Sequence, residues 1–181
     1  MDKSKIFPML KGVLVLALIA LCSGLLLGIF NIITYVDPLQ SAYDRFAADT
    51  GKIFSKMEDE VGKNFGDSAV IYYAVSDDGN TQAFLAEGGG GYGGKVRLYV
   101  YVEDAKIRSI TVGEHSETFM NKLEAANFYA NFIGKDVISL NPLEADDVSG
   151  ASKSSAAVRN AVNAVVSYSK ERLNKNSVSE G

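Results

Sequence analysis

Residues 146–155, DDVSGASKSS, gather four serines, a glycine and an alanine directly ahead of a helical pattern. A helix needs one N-cap, so Ser149, Ser152, Ser154 and Ser155 are more hydroxyls than capping uses. A helix N-terminus offers unpaired N–H groups and the positive end of the helix dipole, a seat for a phosphate. The serine hydroxyls would add donors around that seat, and Gly150 and Ala151 would keep its approach open. One hydroxyl could itself be esterified by the phosphate. Asp146 and Asp147 would repel a free phosphate but could help recruit the Mg²⁺ of a modifying enzyme. A serine-rich cap accounts for the same residues, so this stretch alone leaves both readings open.

Two further segments carry residue types of interest. EHSET (114–118) brings His115, Ser116, Glu117 and Thr118 together at the exit of a strand pattern. Catalysis there would need a nucleophile and an orienting partner, and no nucleophile elbow accompanies them. Otherwise Ser116 or Thr118 caps the next helix and His115 lies at the surface. EGGGGYGGKV (87–96) places six glycines around Tyr92, which lets another backbone or a flat ligand approach closely. It is not a P-loop, because no Gly-Lys-Ser/Thr opens a helix, nor a dinucleotide fingerprint, because a strand follows it. By itself it reads as a hairpin loop.

Composition removes several classes of chemistry. One histidine and one cysteine, His115 and Cys22, exclude an intramolecular disulfide, a cysteine-built zinc or iron–sulfur site and a multi-histidine metal site. A net charge of −4 without a Lys/Arg cluster argues against nucleic acid as a partner.

Whatever these residues do, they are held beside a membrane. Residues 12–36, GVLVLALIALCSGLLLGIFNIITYV, contain no charge and would span roughly 37 Å as a helix, enough to cross a bilayer. Their Leu, Ile, Val and Phe residues favour insertion by about 5–9 kcal/mol, taken at bilayer-centre values. Lys3, Lys5 and Lys11 precede the segment, while Asp37 and Pro38 follow it. The positive-inside rule therefore predicts a lipid-embedded anchor with residues 1–11 in the cytoplasm and the rest on the extracytoplasmic side of the cell (inner) membrane. No clear small-residue cleavage site precedes Asp37, and Leu21 before Cys22 is too large for a lipoprotein signal, so the anchor is expected to be retained.

Beyond it, Leu39, Tyr43, Phe46, Ile53, Phe54, Met57 and Val61 recur near the helical period, which predicts an amphipathic helical connector over 37–66, broken at Gly51. AVIYYAV (69–75) and QAFLAE (82–87) flank the turn Asp77-Asp78-Gly79-Asn80. In KVRLYVYV (95–102), Val96, Leu98, Val100 and Val102 face one side and Lys95, Arg97, Tyr99 and Tyr101 the other. KIRSITV (106–112) continues the sheet. Residues 120–132 read as a helix, and a last helix is expected from about Ser154 to Leu173, before a polar tail over 174–181. Strands followed by helices predict an α+β domain over 67–173, an antiparallel sheet with helices packed on one face.

With these elements in place, Asp146-x-x-Ser149-Gly150-Ala151-Ser152 resembles the flavinylation signature Asp-x-x-Ser/Thr-Gly-Ala-Thr/Ser of the FMN-binding domain family. GYGG (91–94, with Tyr92 and Gly93), EHSET (114–118) and FIGK (132–135) resemble the same family's elements in the same order. Two positions depart from its pattern. Ser152 stands where threonine is usual, keeping the nucleophilic oxygen without the methyl, and Phe119-Met120 follows Glu117-Thr118 where Pro-Gly is usual.

The resemblance implies a covalent FMN, its phosphate esterified to Ser152 by an FMN-transferase of the ApbE type. It further implies a cofactor site of Ser149, Gly150, Ala151, Ser154, Ser155, Tyr92, Gly93, His115, Ser116, Glu117 and Thr118, with no catalytic residue and no metal. The single anchor and short chain are most similar to the RnfG branch, the electron-carrying subunits of the ion-translocating Rnf ferredoxin:NAD⁺ oxidoreductase. The partners so implied are other integral-membrane Rnf subunits, including a second covalent flavoprotein. The related NqrC branch of Na⁺-translocating quinone reductases is the alternative, and a cofactor-free anchored assembly subunit is the competing class.

Overall fold

A computed structural model describes residues 3–179, with backbone alone for 3–9, 57–61 and 176–179. The side chains of Lys3, Lys5, Met57 and Val61 and the last two residues of the tail thus lie outside the described residues. The chain divides into two units, Met1–Gln40 and Ser41–Gly181.

The first unit is built on helix α1, Lys3–Thr34, which contains an 18-residue window of mean hydropathy 2.8, none of it buried. At the α-helical rise its 32 residues measure about 48 Å, longer than a hydrocarbon core. A helix this apolar on every side is stable only in lipid or inside a larger assembly. It stops where Asp37 begins the next helix. The Asp37 carboxylate accepts the Leu39 N–H at 2.9 Å, and Pro38 takes the first helical position, where a missing N–H costs nothing.

Helix α2 spans Pro38–Thr50 and ends at Gly51, whose φ of 69° suits glycine. There the structure departs from the sequence reading. The helical connector expected over 37–66 is helical only to Thr50, and strand β1, Met57–Phe65, occupies its second half. The spacing of Ile53, Phe54, Met57 and Val61 fits a helix as well as an irregular strand. Pairing with the next strand decides for the strand, bulged between Glu60 and Lys63 around Gly62 at φ 42°. The domain therefore begins before residue 67.

The sheet is a five-stranded antiparallel meander in the order β1-β2-β3-β4-β5, with β2 at Ser68–Val75, β3 at Thr81–Gly88, β4 at Val96–Glu103 and β5 at Lys106–His115. Alternation in β4 holds as expected, with Val96, Leu98, Val100 and Val102 buried against helix α4, Ser152–Ser179. Ala157, Val158, Ala161, Val162, Val165 and Val166 of α4 complete that core. The helix can sit so close because β3 ends in Gly88. A Cβ there would collide with the Ala157 carbonyl oxygen and the Ala161 nitrogen, both backbone. The opposite face is covered as well, by α2. Phe46 packs among Phe54, Tyr99 and Tyr101 with ring centroids 5.6–6.1 Å apart, and Tyr101 donates to Asp49 at 2.8 Å. The sheet thus has two cores of unequal size rather than one.

The expected helix over 120–132 is interrupted. Helix α3 covers Met120–Ala125, Asn127 takes a left-handed conformation, and a 3₁₀ turn follows at Phe128–Asn131. Asparagine tolerates that conformation better than most residues. The last helix begins at Ser152, two residues earlier than its apolar stripe indicated, and runs through the tail to Ser179.

Candidate functional site

Three of the four sequence elements singled out above meet at one end of the sheet. The glycine loop leaves β3 beneath α4, where Asn160 donates its amide to the Gly89 carbonyl at 2.9 Å. Further on, the loop lies against the segment after β5. A Cβ at Gly91 would collide with the Glu117 carboxylate, and one at Gly93 with the Ser116 carbonyl oxygen. The close approach that the glycines allow is therefore to this chain's own 116–117 backbone and side chain. Tyr92 stands out of the loop, 81% exposed.

Glu117 ties the three segments together. It is 6% exposed; one carboxylate oxygen accepts the Gly93 N–H at 2.5 Å, and the other accepts the Ser154 hydroxyl at 2.7 Å. Charge-assisted bonds of this kind are about twice as strong as neutral ones, so a single buried side chain fixes the glycine loop to the first turn of α4. Ser155 does a similar task next door, its hydroxyl accepting the Val148 N–H at 3.1 Å and holding the incoming chain. Ser154 and Ser155 are both buried. The expectation that four serine hydroxyls surround a phosphate seat is corrected accordingly, since two of them are committed to protein partners.

Ser149 and Ser152 are the exposed pair. The first helical hydrogen bond of α4 runs from the Ser155 N–H to the Ala151 carbonyl at 2.9 Å, which puts Ser152 in the first helical position. The N–H groups of Ser152, Lys153 and Ser154 consequently precede any helical partner, at the positive end of a 28-residue helix. Ala151 buries its methyl in the core and fixes the turn. Gly150, at φ 71°, turns the chain into the helix, and its carbonyl accepts Lys122 Nζ at 3.2 Å. Asp147 is paired with Arg159 at 2.7 Å, so its charge does not oppose an anion at full strength.

Lys122 is the residue at this turn that sequence reasoning did not single out. It sits on α3 with its ammonium 4.7 Å from the centre of the Phe119 ring. Phe119 is the N-cap residue just before α3, and its spacing of three from Lys122, closed by the Lys122 N–H to the Phe119 carbonyl at 3.1 Å, is the one signal the sequence held.

His115, Ser116 and Thr118 are exposed around this junction. His115 and Ser116 line an open groove of about 280 Å³ with Glu87, Gly93, Lys95, Arg97 and Glu114. Burial pushes the Glu87 carboxyl up, but Lys95 and Arg97 outweigh it and hold the group below its ordinary value. FIGK lies elsewhere. Gly134 donates to the Ile107 carbonyl at 2.7 Å, at the opposite end of β5 from His115 and about 25 Å away along the strand. That element braces the sheet edge and does not join the site. Among the described residues, no group of three or more His, Cys, Asp or Glu could hold a metal.

Residues 91–167 match a family model described as FMN-binding domain. No curated protein and no solved structure matches the chain. The matched stretch opens in the glycine loop and closes in the middle of α4, so it contains all three converging segments. Their donor set fits the phosphate end of FMN: the Ser152 hydroxyl, three first-turn N–H groups and an ammonium, around a turn kept small by Gly150.

Proposed function

We propose that this chain is a membrane-anchored electron-carrier subunit with FMN phosphoester-linked to Ser152, acting in an Rnf-type ion-translocating ferredoxin:NAD⁺ oxidoreductase. The observation that carries this reading is the position of Ser152. Within the stretch that matches the FMN-binding domain family, it is an exposed hydroxyl in the first helical position, without a side-chain hydrogen bond among the described residues to compete for it. The FMN-transferase moves an FMN unit from an activated flavin-nucleotide donor to the Ser152 oxygen: the donor's phosphoanhydride P–O bond breaks as the ester bond forms, the departing nucleotide takes up the serine proton, and the chain gains FMN less one water. The diester keeps one negative charge, which the α4 N-terminus stabilises. Covalent attachment prevents loss of the cofactor from the extracytoplasmic side, where the positive-inside rule puts the domain.

Bound FMN supplies the redox chemistry, and the protein supplies position and surroundings. Ala151 and Gly150 shape the turn and Glu117 holds the glycine loop against α4, while the family resemblance gives exposed Tyr92, His115, Ser116 and Thr118 to the ring system. None of these residues performs catalysis itself. The partners in this reading are integral-membrane Rnf subunits, one of them a second covalent flavoprotein. The site serves an NqrC-type subunit equally well, and the identity of the subunits that co-purify decides between the two complexes.

The test is the mass of the peptide containing Ser152 from native protein. A gain of one FMN less one water at Ser152, absent from Ser152→Ala made in the same host, supports the carrier. An unmodified peptide from a host with an active FMN-transferase refutes it and leaves a cofactor-free anchored assembly subunit, in which Ser149 and Ser152 are surface hydroxyls.

A further inference from the structure

Lys122 and Phe119 are exposed, yet they are arranged as a unit. Among the described residues, the Lys122 ammonium meets one carbonyl, that of Gly150, and one aromatic ring, that of Phe119. An ammonium has three N–H donors, so the carbonyl leaves two for another acceptor. Gly150 is two residues before Ser152, and residues two apart in a chain lie at most about 7 Å apart. A phosphate on the Ser152 oxygen therefore falls within reach of a cation already held at the turn. The neighbouring charges agree. Asp147 is taken by Arg159, which leaves Asp146 as the acidic side chain in this turn without an ion pair among the described residues, against Lys122 and Lys153. Lys153 is exposed at the second helical position and has no such anchor among the described residues.

We infer that Lys122, held by the Gly150 carbonyl and the Phe119 ring, is the cation that pairs with the phosphate of the Ser152-linked flavin. This rests on the carrier reading above and deepens it. Phe119 gains a purpose from it. A ring face holds an ammonium electrostatically, without consuming an acceptor or forming a competing salt bridge. A carboxylate in its place would neutralise the lysine before the phosphate arrived. Lysine acts here as a point charge on a flexible stem, fixed at its tip rather than by a bidentate fork.

The experiment uses full-length protein purified with and without its flavin, the latter as Ser152→Ala. Acetylation of Lys122 by an amine-reactive ester is followed by peptide mass, with Lys106 at the far end of β5 as an internal reference. Lys122 is expected to react at least about fivefold more slowly in the flavinylated protein, while Lys106 is unchanged. In addition, the ³¹P resonance of the phosphodiester is expected to move in Lys122→Met and to return toward the wild-type position in Lys122→Arg. Equal Lys122 labelling in the two forms, or a Lys122→Met resonance identical to wild type, overturns the pairing while FMN on Ser152 still stands. Absence of FMN from the wild-type peptide overturns both the pairing and the reading beneath it.

Discussion

Replacing Glu117 tests whether one buried carboxylate holds the site together. Glu117→Ala removes both acceptors at once. The Ser154 hydroxyl, in a residue 1% exposed, then has no partner, which costs about 1–3 kcal/mol. The Gly93 N–H lies in an exposed loop where water replaces the carboxylate, so the loss there is the net worth of a charge-assisted bond, about 1.5 kcal/mol. The sum is about 3 kcal/mol, or about a 10 °C fall in Tm for a domain of this size. Glu117→Gln keeps an oxygen for Gly93, and its amide donates to a Ser154 hydroxyl turned to accept, so about 1 kcal/mol is expected. In Glu117→Ala/Ser154→Ala the orphaned hydroxyl is gone, and the double mutant is less destabilised than the two single losses added, by about 1 kcal/mol or more. The assay is thermal and urea unfolding of the full chain in detergent micelles, followed by tyrosine circular dichroism. A Glu117→Ala protein within about 0.5 kcal/mol of wild type, or strictly additive losses, refutes the clamp.

Gly88→Ala pushes a methyl into the backbone of α4 at Ala157 and Ala161, and the helix must move off the sheet. A loss of about 3 kcal/mol is expected from overpacking, and a Tm within 2 °C of wild type, about the error of such a scan, counts against the close approach of α4 and β3. Acid should weaken the turn between β2 and β3. There the Ser76 hydroxyl first and the Asn80 N–H second hold Asp78 below its ordinary value, and the Thr81 hydroxyl does the same for Glu103. Carboxyls depressed in the folded state contribute stability above their unfolded values, near pH 4, and lose it as pH falls toward the folded ones. Asp78→Asn therefore lowers Tm more at pH 7 than at pH 2, and an equal deficit at both removes the linkage.

Much of this architecture follows from local pattern. The alternation in β4, the Asp-Asp-Gly-Asn turn and the apolar stripe of α4 are each set within about ten residues, and the structure keeps all three. Where pattern misled, two local solutions were close in energy and a distant partner chose between them. Residues 57–65 carry an ambiguous period, and the ladder to β2 makes them a strand. Residues 120–132 are apolar at helical spacing, but Asn127 turns left-handed so that 132–137 can reach the start of β5.

The site divides along the same line. Residue types and order alone mark the Ser149–Ser152 signature, the glycine loop and EHSET, and the long apolar α1 marks the membrane, because each is a property of contiguous residues. Which serine hydroxyl is left exposed is not contiguous information. Ser154 and Ser155 look like Ser152 in the sequence, and they differ because the helix begins at Ser152 and turns the later two toward Glu117 and Val148. Lys122 is an ordinary surface lysine until the fold brings Gly150, 28 positions along the chain, to its ammonium. Sequence determined the chemistry available to this protein. Tertiary structure decided which groups stay free to use it, because a hydroxyl or an ammonium is committed or open only by what packing places within hydrogen-bond reach.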